Sequence, residues 1–337
     1  MDRWTGVVYV PLSRGGPLFR VAASLLLSPA KTLAVPRVNA ILFTGDRVRG
    51  TGDPVIERLS DAAHLAGVLA GKLPGEANAW VVDAARFAGP FAVYRELVPT
   101  VDAAGDPKGY DPTGFPAAAG VANILARSIG EIQNQVPGLS AKDSAGNQHP
   151  PSYHPPARTI ILGFSKGGVV VNQLVTELSR WGASGSTNQA AAADVPRPAA
   201  AGPGPPPHPT QNDLLLLGAP TRSSDDLLSS ISELHYVDAG LNRAGAYVAD
   251  RAVIGRIREH VVRAGDKSLR FALHGTPRQW CDPSRPWIRE EKDAMVQVLA
   301  DEARRSEGRL VLSEKLYFEG RPRSLLMHFE VLEAMDI

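Results

Sequence analysis

The chain has 337 residues, 44% of them hydrophobic, with 36 basic against 35 acidic side chains and a single cysteine. That length allows a large buried core, and a near-zero charge gives no electrostatic footprint for nucleic acid. The lone Cys281 excludes an internal disulfide framework and a clustered-thiolate metal site, so packing must hold the fold.

From Arg3 to Gly45 there are five basic residues and no acid. Two readings fit residues 1–37: an organellar transit segment, or a first strand at 6–10 followed by a loop. The apolar run 21–27 is too short to cross a bilayer, and no transmembrane segment is expected. Residues 38–43 ("VNAILF") predict a buried strand that ends at Thr44-Gly45-Asp46. A helix over 53–73 follows, with Val55, Ile56, Leu59, Ala62, Ala63, Ala66 and Leu69 at helical spacing behind an Asp53-Pro54 start signal. A strand at 79–87 and an amphipathic helix at 117–133 come next. Residues 182–212 are dense in alanine, proline and glycine and read as a disordered insertion. Beyond it, strands around 234–238, 268–274 and 309–318 alternate with helices over 244–265 and 285–305, and a short helical tail ends the chain. This alternation predicts an α/β fold, a doubly wound, mostly parallel sheet with helices on both faces, as one domain over 38–337.

Residues 158–175 read "RTIILGFSKGGVVVNQLV". A β-forming run enters Gly163-x-Ser165-x-Gly167 and leaves through Val169, Val170, Gln173, Leu174 and Leu178 at helical spacing. That is the outline of a nucleophile elbow in the α/β-hydrolase fold, where a serine is forced outward at a strained strand-to-helix turn and the flanking glycines avoid collision. Such a serine needs a base, and imidazole has the right proton affinity. Of the eight histidines, His149, His154 and His208 lie in proline-rich loops. His64 and His260 sit inside helices, and His235 and His274 inside strands. His328, after the last strand, obeys the Ser, acid, His order of that fold. The acid has two candidates at strand ends. Asp282 is the expected one, because the loop after the penultimate strand is the commoner position, and Asp238 is the alternative. The backbone amides of Lys166 and of the Gly45-Asp46 turn are placed to form an oxyanion hole. "FTGDRVRGTG" lacks the ending of a phosphate-binding loop, and no cofactor or metal motif is present. Lys166, Arg47 and Arg49 read as ordinary surface charges.

The blocks "LFTGD", "GFSKGGVVVNQLVTEL", "HYVDAGLNRAGAYV", "HGTPRQWCDPSRPWIREEKDAMVQVL" and "MHFEVLEAM" resemble, in order, those of an uncharacterised mitochondrial α/β-hydrolase-like family whose human member is named for its open reading frame on chromosome two. The resemblance runs from about Asn39 onward, and the departures are Gly168, where a larger residue is expected, and an unmatched first segment. It implies a serine-hydrolase-like fold, Ser165 as nucleophile, His328 as base, and a mitochondrial rather than cytoplasmic address. It carries Asp238 and Asp282 together and chooses neither, and it supplies no substrate. The expectation is a serine hydrolase (esterase, thioesterase or lipase-like) acting on a small-molecule or lipid-like acyl substrate. The alternative is a catalytically inactive binding or scaffold protein on the same fold.

Overall fold

The computed structural model describes residues 2–73, 75–136, 158–184, 224–265 and 267–337. All but the first three residues of the expected 182–212 insertion, and His149, His154 and His208, lie outside the described residues. Strands β1 (Arg3–Pro11) and β2 (Leu18–Leu26) form an antiparallel hairpin, and β3 (Val38–Phe43) follows. Residues 3–11 and 18–26 are therefore strands of the sheet, the second lying where a loop was expected after a strand at 6–10.

The expected helix over 53–73 is two helices, α1 (Pro54–Leu59) and α2 (Ala62–Lys72). Asp53 caps the first by accepting from Val55 and Ile56 N–H, and Asp61 interrupts the run to cap the second through His64 N–H. Next come β4 (Ala77–Asp83), a small hairpin of β5 (Arg86–Ala88) and β6 (Phe91–Val93), and α3 (Pro116–Gln135). Strand β7 (Arg158–Phe164) turns through the elbow into α4 (Gly168–Ser184). The remainder is α5 (Ser224–Ser230), β8 (Ile231–Val237), α6 (Arg251–Ala264), β9 (Leu269–Gly275), α7 (Pro277–Trp280), α8 (Pro286–Arg304), β10 (Leu310–Leu316) and α9 (Leu325–Ala334). Helix α6 begins later than its apolar pattern suggests, because Asp250 caps it through Ala252 and Val253 N–H.

The eight-stranded sheet runs β1-β2-β4-β3-β7-β8-β9-β10, antiparallel through β1, β2 and β4 and parallel from β4 onward. Side chains alternate between two cores, as the two-residue period of a strand requires. Ile41, Phe43, Ile161, Leu234 and Tyr236 enter the core under α3, α4, α6 and α8. Ala40, Leu42, Ile160, Leu162, Phe164 and Val237 enter the one under α1, α2 and α9. A mostly parallel sheet covered on both faces, with a strand–serine–helix elbow on a central strand, is the α/β-hydrolase fold.

Helix α4 is buried on its polar positions too, and those positions act as clamps. Asn172 Nδ2 donates to the Ala246 carbonyl at 2.9 Å, and its Oδ1 accepts from the Tyr236 hydroxyl at 2.8 Å. Glu177 accepts the first N–H groups of α3, from Ala117 and Ala118, at 2.9 and 2.8 Å. Those donors would otherwise be orphaned at a buried helix start.

Candidate active site

Three neighbouring strands, β3, β7 and β8, end at the same edge of the sheet, and each delivers one polar side chain there. Strand β7 delivers Ser165, the residue after its last position, held at φ +51°. This left-handed conformation costs a non-glycine residue of order 1–3 kcal/mol and turns the hydroxyl out of the strand. The flanking glycines are steric necessities. A β-carbon at Gly163 would stand 2.6 Å from Val171 Cγ2 and 2.7 Å from the Gly167 carbonyl oxygen, and one at Gly167 would enter the carbonyl of Phe43. Gly168, the departure from the family pattern, faces Ala239, whose β-carbon would lie 3.0 Å from an added one.

Strand β8 delivers Asp238, with no exposed surface. Its carboxylate accepts Thr276 N–H at 2.7 Å and the Thr276 hydroxyl at 2.9 Å, and its backbone N–H donates to the His274 carbonyl at 2.6 Å. His328 lies inside the first turn of α9, 1% exposed, with its ring against Phe164 at a centroid distance of 4.6 Å. His328 Nδ1 and Asp238 Oδ2 are 2.6 Å apart.

The expected acid, Asp282, is elsewhere. Its carboxylate accepts from Ser284 N–H and Oγ–H at 3.1 and 2.7 Å, from Arg285 Nε at 3.0 Å and from Arg323 at 2.9 Å. Against the upward push of partial burial, the Ser284 and Arg285 hydrogen bonds hold that carboxyl well below the usual range. The preference for Asp282 over Asp238 as the group behind His328 is thereby corrected. The short helix α7 after β9 carries Asp282 away from the imidazole, where it fastens the α7–α8 turn to the segment leading into α9.

Strand β3 delivers Asp46, whose carboxylate was not anticipated as part of the site. Ser165 Oγ donates to Asp46 Oδ1 at 3.2 Å, and His328 Nε2 faces Asp46 Oδ2 at 3.1 Å. Among the described residues no hydrogen bond joins Ser165 directly to His328. Gly45 is packed so tightly under the elbow that a β-carbon there would collide with Phe164, Ser165 and Lys166. This brings the 45–46 turn and the Lys166 amide to the same spot. The turn's neighbours are engaged, Ala92 N–H with the Gly45 carbonyl and Arg47 N–H with the Pro90 carbonyl, both at 2.8 Å.

Burial alone would lower the His328 pKa. The Asp238 and Asp46 carboxylates outweigh it and raise it to about 9, which favours the protonated ring at neutral pH. By contrast, His274 is depressed to about 3, first by burial and then by His235, and burial likewise lowers His235. These two stack in the neighbouring strands, with His235 Nδ1 and His274 Nε2 at 3.0 Å and His274 Nδ1 at 3.0 Å from the Tyr317 hydroxyl. They are satisfied core histidines.

Lys166 is no surface charge. It is 2% exposed, with Nζ donating to the Ala104 carbonyl at 2.6 Å and to Asp106 at 2.8 Å, so it straps the 100–107 loop beside the elbow. Arg47 pairs with Asp83 at 2.7 Å and lies over the Phe87 ring. With Arg20 and Arg49 it lines a cleft of about 280 Å³ at the same edge of the sheet. Among the described residues no cluster of histidine, cysteine and carboxylate side chains is placed to hold a metal ion, and no helix is long and apolar enough to cross a membrane.

No family model matches the chain. The mitochondrial protein C2orf69 homolog of Danio rerio is 25% identical over 269 residues, which are 79% of this chain and 62% of that protein, so the chain spans less than two thirds of its relative's length. Solved structures with a similar backbone include the siderophore hydrolase EstA of Aspergillus nidulans (12% identical, TM-score 0.45, covering 99% and 93% of the two chains). An S-formylglutathione hydrolase of Agrobacterium tumefaciens is another (10%, 0.42, 98% and 92%). At such scores they add nothing to what the strand order already shows. The expected mitochondrial address agrees with the name of the fish relative. Over four fifths of its length, nearly, the chain is similar to a protein of the mitochondrial family that its sequence blocks resemble.

Proposed function

We propose that the chain is a mitochondrial serine hydrolase that cleaves an ester, thioester or amide of a small or lipid-like acyl group. Ser165 is the nucleophile, His328 the base, and Asp238 the carboxylate that fixes the imidazole. The observation that supports this most is the 2.6 Å contact between His328 Nδ1 and a fully buried Asp238 that is itself held by two Thr276 hydrogen bonds. A buried carboxylate in that position orients the ring and stabilises the imidazolium formed in catalysis.

In the reaction, Ser165 Oγ bonds to the substrate carbonyl carbon as its proton passes to neutral His328 Nε2. The oxyanion is met by the backbone N–H groups of Lys166 and Asp46. Collapse of the intermediate breaks the bond to the leaving group, which takes the proton from Nε2. Water then repeats the sequence on the acyl-serine and releases the acid.

A second reading, a non-catalytic module on the same fold, is favoured by one observation, the Asp46 carboxylate standing between Ser165 and His328. An alkyl fluorophosphonate separates the two. A hydrolase is labelled at Ser165, loses labelling in Ser165→Ala and is labelled far more slowly in His328→Ala. Folded protein that resists the probe from pH 6 to 10 is a module.

A further inference from the structure

Among the described residues, Asp46 is the side chain hydrogen-bonded to both Ser165 and His328 that the proton relay above does not use. Its side chain is only 11% exposed, and its backbone is fixed by the pairing of Gly45 and Arg47 with the β5–β6 hairpin. The nearby cations are committed elsewhere: Arg47 to Asp83 and the Phe87 ring, and Lys166 to Asp106 and the Ala104 carbonyl. Among the described residues, the ion-pair partner of Asp46 is His328.

Two consequences oppose hydrolysis in this arrangement. A carboxylate between Oγ and Nε2 blocks direct proton transfer, and Ser165 itself is only 4% exposed. An anion beside the Lys166 and Asp46 amides also repels the oxyanion those amides would stabilise. We propose that Asp46 is a catalytic gate: its carboxylate stands between the serine hydroxyl and the imidazole, bonded to both, and reaction requires it to swing aside. The proposal rests on the hydrolase reading.

Among the described residues, the groups that face His328 are Asp46 from the turn after β3 and Asp238 from the end of β8, while the Phe164 and Phe329 rings pack on it without charge. With both ring nitrogens facing carboxylates, at 2.6 and 3.1 Å, the protonated ring is favoured, and in that form it has no lone pair to offer. Losing the Asp46 charge removes one of the two groups that hold the proton.

The test is Asp46→Asn in the full chain, which keeps the shape and removes the charge, with Asp46→Ser as a second variant and thermal melts to confirm folding. Fluorophosphonate labelling of Ser165 is followed from pH 6 to 10. The wild-type rate is expected to reach half its maximum near pH 9. In either variant that midpoint falls by about one pH unit or more, and labelling at pH 7 is about tenfold faster. Labelling that is unchanged or slower in the folded variants overturns the gate and makes Asp46 a base or a scaffold.

A second readout needs no turnover. Imidazole nitrogen NMR of His328 in Ser165→Ala and in Ser165→Ala/Asp46→Asn reads the ring's titration directly. A midpoint about one pH unit lower in the double variant supports the charge coupling, and an unmoved midpoint overturns it. If no protein is labelled while the midpoint falls, the hydrolase reading has failed and the coupling has not.

Discussion

Asp238 and Asp282 make the sharpest pair of substitutions, because both are hydrogen-bonded carboxylates and only one touches the imidazole. In Asp238→Asn the amide oxygen can keep the Thr276 N–H bond of 2.7 Å, which leaves the amide NH2 facing His328 Nδ1, now 2.6 Å from Oδ2. A donor there forces Nδ1 to carry the lone pair and Nε2 the proton. That is the wrong tautomer for a base, and the same change in a serine triad costs about 10⁴ in rate. Asp282→Asn touches no proton in the reaction. It weakens the links to Arg285 and Arg323, of which Arg323 is 45% exposed, so its expected cost is about 1 kcal/mol of stability. Fluorophosphonate labelling rates at pH 8, with urea midpoints for both variants, measure the contrast. A loss of about 10³ or more in Asp282→Asn with Asp238→Asn near wild type would refute the assignment of the acid.

Among the described residues, Lys166→Met leaves Asp106, 3% exposed, with the distant Arg243 at 3.7 Å as its charge partner, and breaking such a buried pair is expected to cost about 3–5 kcal/mol in urea unfolding. Part of that loss should return in Lys166→Met/Asp106→Asn. The raised pKa of His328 predicts a pH dependence of its own. A folded value of about 9 against 6.5 contributes about 3 kcal/mol, fully present below pH 6.5 and lost as pH rises through 9. Unfolding free energies between pH 6 and 10 should therefore decline in wild type, and the decline should be largely absent in His328→Gln.

The backbone of the site was legible because it is written in local spacing. Gly163, Ser165 and Gly167 sit between a β-forming run and a helical one, and the collisions that the structure gives for a β-carbon at either glycine are the reason for that spacing. The order Ser, acid, His likewise depends only on the sequence of strand ends. What local spacing does not carry is which polar side chains meet across the sheet edge. The helix over 53–73 divides because Asp61 caps a second start, a signal present as Ser60-Asp61 but overridden by the continuous apolar stripe. Lys166 resembles a surface lysine until the 100–107 loop folds over it and buries it against Asp106. In a short turn, Asp46 offered its amide to the sequence reading. Its carboxylate acquires a role only when α9, nearly three hundred residues later, sets His328 beside it.

Strand order accounts for the positions of both the proposed acid and the proposed gate. Hydrogen-bonded strands lie about 4.8 Å apart, and β3, β7 and β8 are consecutive, so groups one to three residues past their ends are neighbours. Asp46, Ser165 and Asp238 are those groups, and His328 spans from the first to the third. Strand β9 is one step further from the elbow, and its contribution there is Thr276, which stands behind Asp238. Asp282 is seven residues past the end of β9, with a helical turn between, which puts it out of the row. The same geometry that makes Asp238 the natural partner of the imidazole on one side places a second carboxylate on the other. A ring held between two anions keeps its proton, and for Ser165 to react one of the two must yield. Asp238 is fully buried and fixed by Thr276. Asp46, 11% exposed and bonded through its side chain, among the described residues, to Ser165 and His328, is the one that the proposed gate requires to move.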